Sequence, residues 1–255
     1  METPGKGAAV TLLIPASATL ADGSNVTVNT SYPFEDTVIV TCSPAANAFP
    51  LLIRVPGWAT NATVNGKLAA AGTFSHQTCA PGEANVFTLN LRPEITVERW
   101  ADDEHGGVAT SPGFSVMRGP LLYSLPIDHN FTVYGRHFGE GDTASNDYYL
   151  NPTPEGGSSW NVALDIDPSE PTKTLTFVAA SSYVPGAAPF NRTGPLSIKA
   201  SARVLPGWGM SLNSAAPPPE SPACAGASAH CGPLTEVTLV PHGYTELRIG
   251  EFPLV

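Results

Sequence analysis

The chain has 255 residues, enough for one or two domains with real cores, and an apolar content of 42% excludes wholesale disorder. Its 12 Lys and Arg against 22 Asp and Glu leave a net charge of −10 without any basic cluster, which excludes a nucleic-acid surface and disfavours polyanion binding. No run approaches the ~20 apolar residues of a membrane-spanning helix, and 24 Gly with 26 Pro imply short elements joined by many turns.

Near the start, Lys6, residues 8–14 and Ala16-Ser17-Ala18 loosely mimic a signal peptide. Thr11 and Pro15 interrupt the apolar run, so 8–20 (AAVTLLIPASATL) reads as a strand region instead. Strands are predicted over 10–14, 25–30, 37–42, 49–55, 62–64, 85–91 and 95–99. Within 86–91 (VFTLNL) the alternation places Val86, Thr88 and Asn90 on one face and Phe87, Leu89 and Leu91 on the other, as in a half-buried antiparallel strand. Pro56–Gly57 forms a tight turn that delivers Trp58 against the preceding strand, and Asn65–Gly66 suits a two-residue hairpin. Strands this short and this evenly spaced predict a sandwich.

Residues 101–113 (ADDEHGGVATSPG) are polar and glycine-rich and read as an inter-domain connection or a long hairpin loop. The apolar pattern restarts at 114–125, passes through a loop-rich stretch at 128–146, and resumes at 148–150, 160–166, 175–178 and 196–204. A Pro/Ala/Ser-rich excursion at 217–222 reads as extended and poorly ordered. Residues 236–240 and 245–249 close the chain as a hairpin around Pro241-His242-Gly243-Tyr244. The second Pro-Gly-Trp, Pro206–Trp208, has flanks unlike those of the first, so the two are one turn device used twice and no duplication. The fold class predicted is all-β: two packed antiparallel β-sandwich, jelly-roll-like domains with very little helix. The domains span 1–112 and 113–255, with the final hairpin at 236–255 able to return to the first sandwich.

Several stretches follow one another in an order that carries a resemblance. Tyr32-Pro33-Phe34 precedes FPLLIRVPGWA at 49–59 and TVNG at 63–66. RGPLLY follows at 118–123, SSWNVALDID at 158–167, RVLPGW at 203–208 and LVPHGYTELRIGEFP at 239–253. This succession resembles the C-terminal β-sandwich region of family-127 glycoside hydrolases, the β-L-arabinofuranosidase-like enzymes, with His242 in place of their usual Tyr. The resemblance implies a non-catalytic accessory region beside a catalytic α-barrel in cis or trans. In those enzymes a zinc-bound cysteine nucleophile and a glutamate acid/base lie in the barrel, upstream of where this chain begins. No catalytic residue and no cofactor is therefore expected here, zinc belonging to the barrel alone. Expected partners are that barrel, which would cover an apolar face, and plant- or algal-type glycans. The runner-up reading is a stand-alone secreted carbohydrate-binding module.

The residues are read for chemistry on their own terms as well. Glycosidases work with paired carboxyl groups, and the close pairs are Glu35/Asp36, Asp102/Asp103/Glu104 and Asp165/Asp167. Asp165 and Asp167 sit at strand spacing, on one face, and read as solvated. His129, His137, Glu140 and Asp142 share one loop region whose spacing fits no metal site, so none is assigned. Neither G-x-S-x-G nor a glycine-rich phosphate loop occurs. Trp58, Trp100, Trp160, Trp208, Tyr148 and Tyr149 could stack on sugar rings; Trp58 and Trp208 read as packing residues, and Tyr148, Tyr149 and Trp160 are the binding candidates retained. Cys42, Cys79, Cys224 and Cys231 permit three pairings; a local Cys224–Cys231 bond would leave Cys42 with Cys79. Five sequons, at Asn25, Asn29, Asn61, Asn130 and Asn191, lean with the cysteines towards the secretory pathway, and Pro152 removes Asn151 from that set.

Overall fold

A computed structural model describes residues 3, 7–99, 113–138, 145–152, 159–179, 194–211, 214–225 and 230–255, with the backbone alone at 131, 133–138 and 145–152. The chain is nearly all β and divides into two compact units, Met1–Glu94 and Ile95–Val255. Helix among the described residues is limited to 3-10 turns such as Pro171–Lys173 and His242–Tyr244.

The first unit contains β1 (Ala8–Val10), β2 (Ala16–Thr19), β3 (Asn25–Thr30), β4 (Thr37–Ser43), β5 (Phe49–Arg54), β6 (Thr63–Val64), β7 (Lys67–Leu68), β8 (Phe74–Cys79) and β9 (Asn85–Asn90). They form a three-stranded sheet, β1-β5-β8, and a six-stranded sheet, β2-β3-β4-β9-β6-β7. All pairs are antiparallel except β1 with β5, where Ala8 lies opposite Leu51 and Val10 opposite Ile53. The alternation read from the sequence is what builds the sandwich. Val26 and Val28 of β3, Val38 and Val40 of β4, and Phe87 and Leu89 of β9 point inward from the large sheet, against Phe49, Leu51 and Ile53 of β5. Each such side chain contributes about 1.5–3 kcal/mol on full burial.

Asn65 (φ 49°) and Gly66 (φ 77°) make the predicted two-residue turn between β6 and β7, both in the left-handed region that a type I′ hairpin requires. The Thr88 amide donates to Asn65 Oδ1 at 2.8 Å and the Asn65 amide to the Thr88 carbonyl at 2.9 Å, which fastens this hairpin to β9. A disulfide joins Cys42, at the end of β4, to Cys79, at the end of β8, so it ties one sheet to the other. β8 (FSHQTC) escapes the sequence pattern because it is exposed at alternate positions and shows no apolar period, whereas β2, exposed at every position, falls inside the strand region read over 8–20.

The second unit contains β10 (Ile95–Arg99), β11 (Phe114–Arg118), β12 (Leu121–Pro126), β13 (His129–Phe138), β14 (Ser145–Pro152), β15 (Val162–Leu164), β16 (Thr176–Ala179), β17 (Leu196–Val204), β18 (Met210–Ser211), β19 (Ser214–Ala215), β20 (Leu234–Pro241) and β21 (Arg248–Ile249). Its main sheet runs β10-β11-β12-β20-β17-β15, with β16 on β17 and β21 on β12. Inward residues from one end, Ile95, to the other, Val162 and Leu164, belong to one core with Tyr123, Ile198, Leu239 and Phe252. The strands at both ends of this sheet thus contribute to one core.

Four features differ from expectation. The polar run at 101–113 suggested a boundary at 112; β10 pairs along its length with β11, and the compact units divide after Glu94. The closing strands do not form a hairpin with each other. β20 lies between β12 and β17, and β21 pairs with β12, all within the second unit. The excursion at 217–222, expected to be loose, is pinned at its end: the Leu254 amide donates to Ser221 Oγ at 2.8 Å and the Ala223 amide to the Leu254 carbonyl at 2.7 Å. The loop-rich reading of 128–146 also gives way in part, because His129–Phe138 pairs with Ser145–Pro152 in a bulged hairpin whose irregular register hides the period.

Candidate functional site

The closing segment of the chain assembles the most connected polar cluster. β20 ends at Pro241, the 3-10 turn carries His242, and β21 carries Arg248. Because β20 and β21 both pair with β12, His242 and Arg248 meet Ser124, which is fully buried on that strand. Arg248 Nε donates to His242 Nε2 at 2.7 Å, and His242 Nδ1 lies 2.7 Å from Ser124 Oγ. A guanidinium has no lone pair to accept with, so Nε2 must be the bare nitrogen and Nδ1 carries the proton towards Ser124. Arg248 Nη1 also donates to the carbonyls of Thr245 and, at 3.2 Å, Glu246. Beside it, His129 Nδ1 bonds the Ile127 carbonyl at 2.8 Å while Nε2 stands 3.6 Å from the Glu246 carboxylate.

The serine–histidine distance would suit a nucleophile and its base, but the proton polarity is the reverse. A base must accept the hydroxyl proton, and here the imidazole donates to the hydroxyl. The cluster is structural. Burial, and next to it the Arg248 charge, lower the His242 pKa below its ordinary 6.5. The unfolded chain therefore binds the proton more readily, so stability rises with pH through this window and is lost as pH falls through about 6.5. Denaturation followed from pH 8 to pH 5 is expected to show such a fall, and a weaker one in His242→Gln. An identical pH dependence in that variant would rule out His242 as its source.

Next to this cluster lies a cleft of about 380 Å³ lined by Trp208, Ala216, Pro217, Pro218, Arg248 and Glu251, among others. Asn161 Nδ2 holds its floor by donating to the carbonyls of Leu205 (2.8 Å) and Trp208 (3.2 Å), and the Trp208 indole donates to the Ala216 carbonyl at 2.8 Å. Trp160 packs edge-to-face on Trp208, ring centroids 5.3 Å apart, over Ala163 and Leu205. The structure thus places Trp160, a candidate stacking residue, in a packing role beside the cleft. Tyr148 and Tyr149 lie in β14 opposite Val133 and Thr132. Trp58 lies parallel to Tyr32 at 6.5 Å on the first core, and Trp100 is outside the described residues.

Among the described residues the carboxylates do not assemble a glycosidase pair in the cleft, where Glu251 is the one acid among them in its lining. Asp165 and Asp167 lie beyond the end of β15 at Leu164, so strand alternation does not govern them. Asp167 Oδ1 accepts from the Ser169 hydroxyl (2.6 Å) and amide (2.9 Å), a local turn whose hydroxyl bond foremost holds this carboxyl below the usual range. Glu140 and Asp142 fall outside the described residues, as does the His137 side chain. Among the described residues no group of three His, Cys, Asp or Glu could hold a metal ion. All four cysteines are paired, Cys42–Cys79 and Cys224–Cys231. A disulfide sulfur is neither a thiolate ligand nor a nucleophile, so these residues do not fit a zinc–cysteine centre. Of the sequon asparagines, Asn25, Asn29, Asn61 and Asn130 are exposed, and Asn191 is outside the described residues. Ser124, Arg248 and Glu251 were missed as residues of interest, although Arg248 and Glu251 stand inside the closing motif that carried the resemblance.

Residues 7–92 match the sequence profile described as beta-L-arabinofuranosidase, GH127 middle domain. This stretch is similar to that domain, and the match covers about a third of the chain. Solved structures match over far more of the chain. A GH127 beta-L-arabinofuranosidase from Geobacillus stearothermophilus T6 has a TM-score of 0.57 and 16% identity, over 99% of this chain and 34% of that one. A protein titled glycoside hydrolase has a TM-score of 0.55 and 18% identity, over 94% and 34%. A third, a GH127 beta-arabinofuranosidase, has a TM-score of 0.51 and 13% identity, over 97% and 34%. At such identities the likeness is one of fold. The chain spans about a third of the length of these relatives. No curated protein matches it significantly.

Proposed function

We propose that this chain is the non-catalytic accessory β-sandwich region of a family-127-like glycoside hydrolase acting on L-arabinofuranoside-type glycans, and that it supports a catalytic α-barrel in cis or in trans. The observation that supports this reading is the match of residues 7–92 to the GH127 middle-domain profile, within a fold similar to a third of the length of GH127 arabinofuranosidases. The chemistry of the described residues supports it: the cysteines are oxidised, the serine–histidine pair has the wrong polarity, and the cleft lining offers a single carboxylate. An exposed apolar strip at Leu12 and Ile14, beside a groove between β1, β2 and β3, supplies a surface suited to a neighbouring domain.

Two assays on the purified 255-residue chain test this. Alone, it is expected to hydrolyse no arabinofuranoside above the buffer rate. Added to a GH127 catalytic barrel expressed without its β region, it is expected to raise the melting temperature of the barrel. Hydrolysis by the chain itself, abolished by a point substitution in it, would overturn the proposal.

The stand-alone carbohydrate-binding module is favoured only by the cleft, where one guanidinium and one carboxylate beside Pro217 and Pro218 suit a small polyol. Under that reading Arg248→Ala removes binding on a glycan array, whereas under the accessory reading there is no binding to remove.

A further inference from the structure

Four adjacent strands of the six-stranded sheet present an outward face without charge, the charged residue among the sheet's strands being Lys67, on β7 at the far edge. β2, β3, β4 and β9 (ASAT, NVTVNT, TVIVTCS and NVFTLN) contain no Asp, Glu, Lys or Arg at all. Along β3 the buried Val26, Val28 and Thr30 alternate with exposed Asn25, Thr27 and Asn29. The register sets Thr19 beside Asn25, Ser17 beside Thr27, and Ile39 beside Asn29, with Val86 exposed one strand further on. Exposed β-surfaces normally use charge to stop copies of the chain from stacking, and these four strands carry none.

The same face carries two sequons. Asn25 has the Thr27 hydroxyl and Asn29 the Ser31 hydroxyl two residues on, as N-linked modification requires. Four strand residues separate the two asparagines by roughly 13 Å. Asn25 Oδ1 accepts from Thr19 Oγ1 at 2.8 Å, while its Nδ2 has only a 3.5 Å contact to the Gly23 carbonyl, so the nitrogen is the open side of the amide. Asn61 differs, because its Nδ2 is tied to Glu94 Oε1 at 2.6 Å and the Thr63 of its sequon is buried.

We propose that Asn25 and Asn29 carry N-linked oligosaccharides, which cover the uncharged outer face of these four strands and do there what charge does on other β-surfaces. The donor is an oligosaccharide linked through its anomeric carbon to a lipid diphosphate. Nδ2 forms a bond to that carbon, the carbon–oxygen bond to the diphosphate breaks with its electron pair leaving on the diphosphate, and the amide gives up one of its two protons.

Protein purified from its own cells, digested and treated with peptide N-glycosidase in heavy-oxygen water, tests this by mass spectrometry. The expected result is aspartate bearing the heavy oxygen at position 25, 29 or both in most molecules. Unmodified asparagine at both positions overturns the proposal.

Discussion

Replacing Cys42 and Cys79 together by alanine is expected to lower the unfolding free energy by about 4 kcal/mol by the chain-entropy account. The bond closes a sequence separation of 37 residues, against 7 for Cys224–Cys231, whose removal is expected to cost roughly 2–3 kcal/mol. Position adds to the difference. Cys42 and Cys79 are wholly buried and join the two sheets of the first unit, so without the bond the sheets are held by side-chain packing alone. Cys224 and Cys231 are only partly buried and close a local loop. A reducing agent should therefore open Cys224–Cys231 first, under conditions where the first unit remains folded. Urea unfolding of the two double variants checks the ordering, and equal losses would contradict the staple assigned to Cys42–Cys79.

Phe252→Ala is expected to cost about 3–5 kcal/mol, the range for truncating a fully buried aromatic side chain. Phe252 has no exposed surface and lies in the core of the second unit. Its backbone exchanges both hydrogen bonds with Phe114, at 2.8 and 2.9 Å, while Leu164 donates to the Pro253 carbonyl and accepts from the Val255 amide, each at 3.0 Å. The final residues thus bridge β11 and β15, which lie far apart along the main sheet. The tail therefore ties together two strands that the sheet's own ladder does not pair. Phe252→Leu, which keeps most of the apolar volume, should lose less than half as much. Removal of residues 252–255 should exceed Phe252→Ala and consume much of the 5–15 kcal/mol that holds a typical domain.

The alternation in residues such as Val38, Val40, Phe87 and Leu89 was legible because each half-buried strand writes its period into the chain. The Asn65–Gly66 turn was legible because its backbone needs two residues tolerant of positive φ. Strand β8 was not legible, since an exposed edge strand has no apolar face to display. The placement of Ile95–Arg99 depended on a partner strand across the polar run at 101–113, and no local signal identifies a partner. The same holds for the cluster at His242. Ser124 and Arg248 are 124 residues apart in sequence and meet only because β12 sits beside both β20 and β21. The ordered motifs located the closing segment, but only the topology shows that the imidazole donates to Ser124 and accepts from Arg248.

The most direct test of the accessory role compares two preparations for arabinofuranoside hydrolysis: protein captured from its own cells with an antibody to this chain, and the purified 255-residue chain. The account predicts activity in the captured material, where the catalytic barrel accompanies the β region, and none in the purified chain. Activity in the purified chain, or none in either preparation, would contradict it.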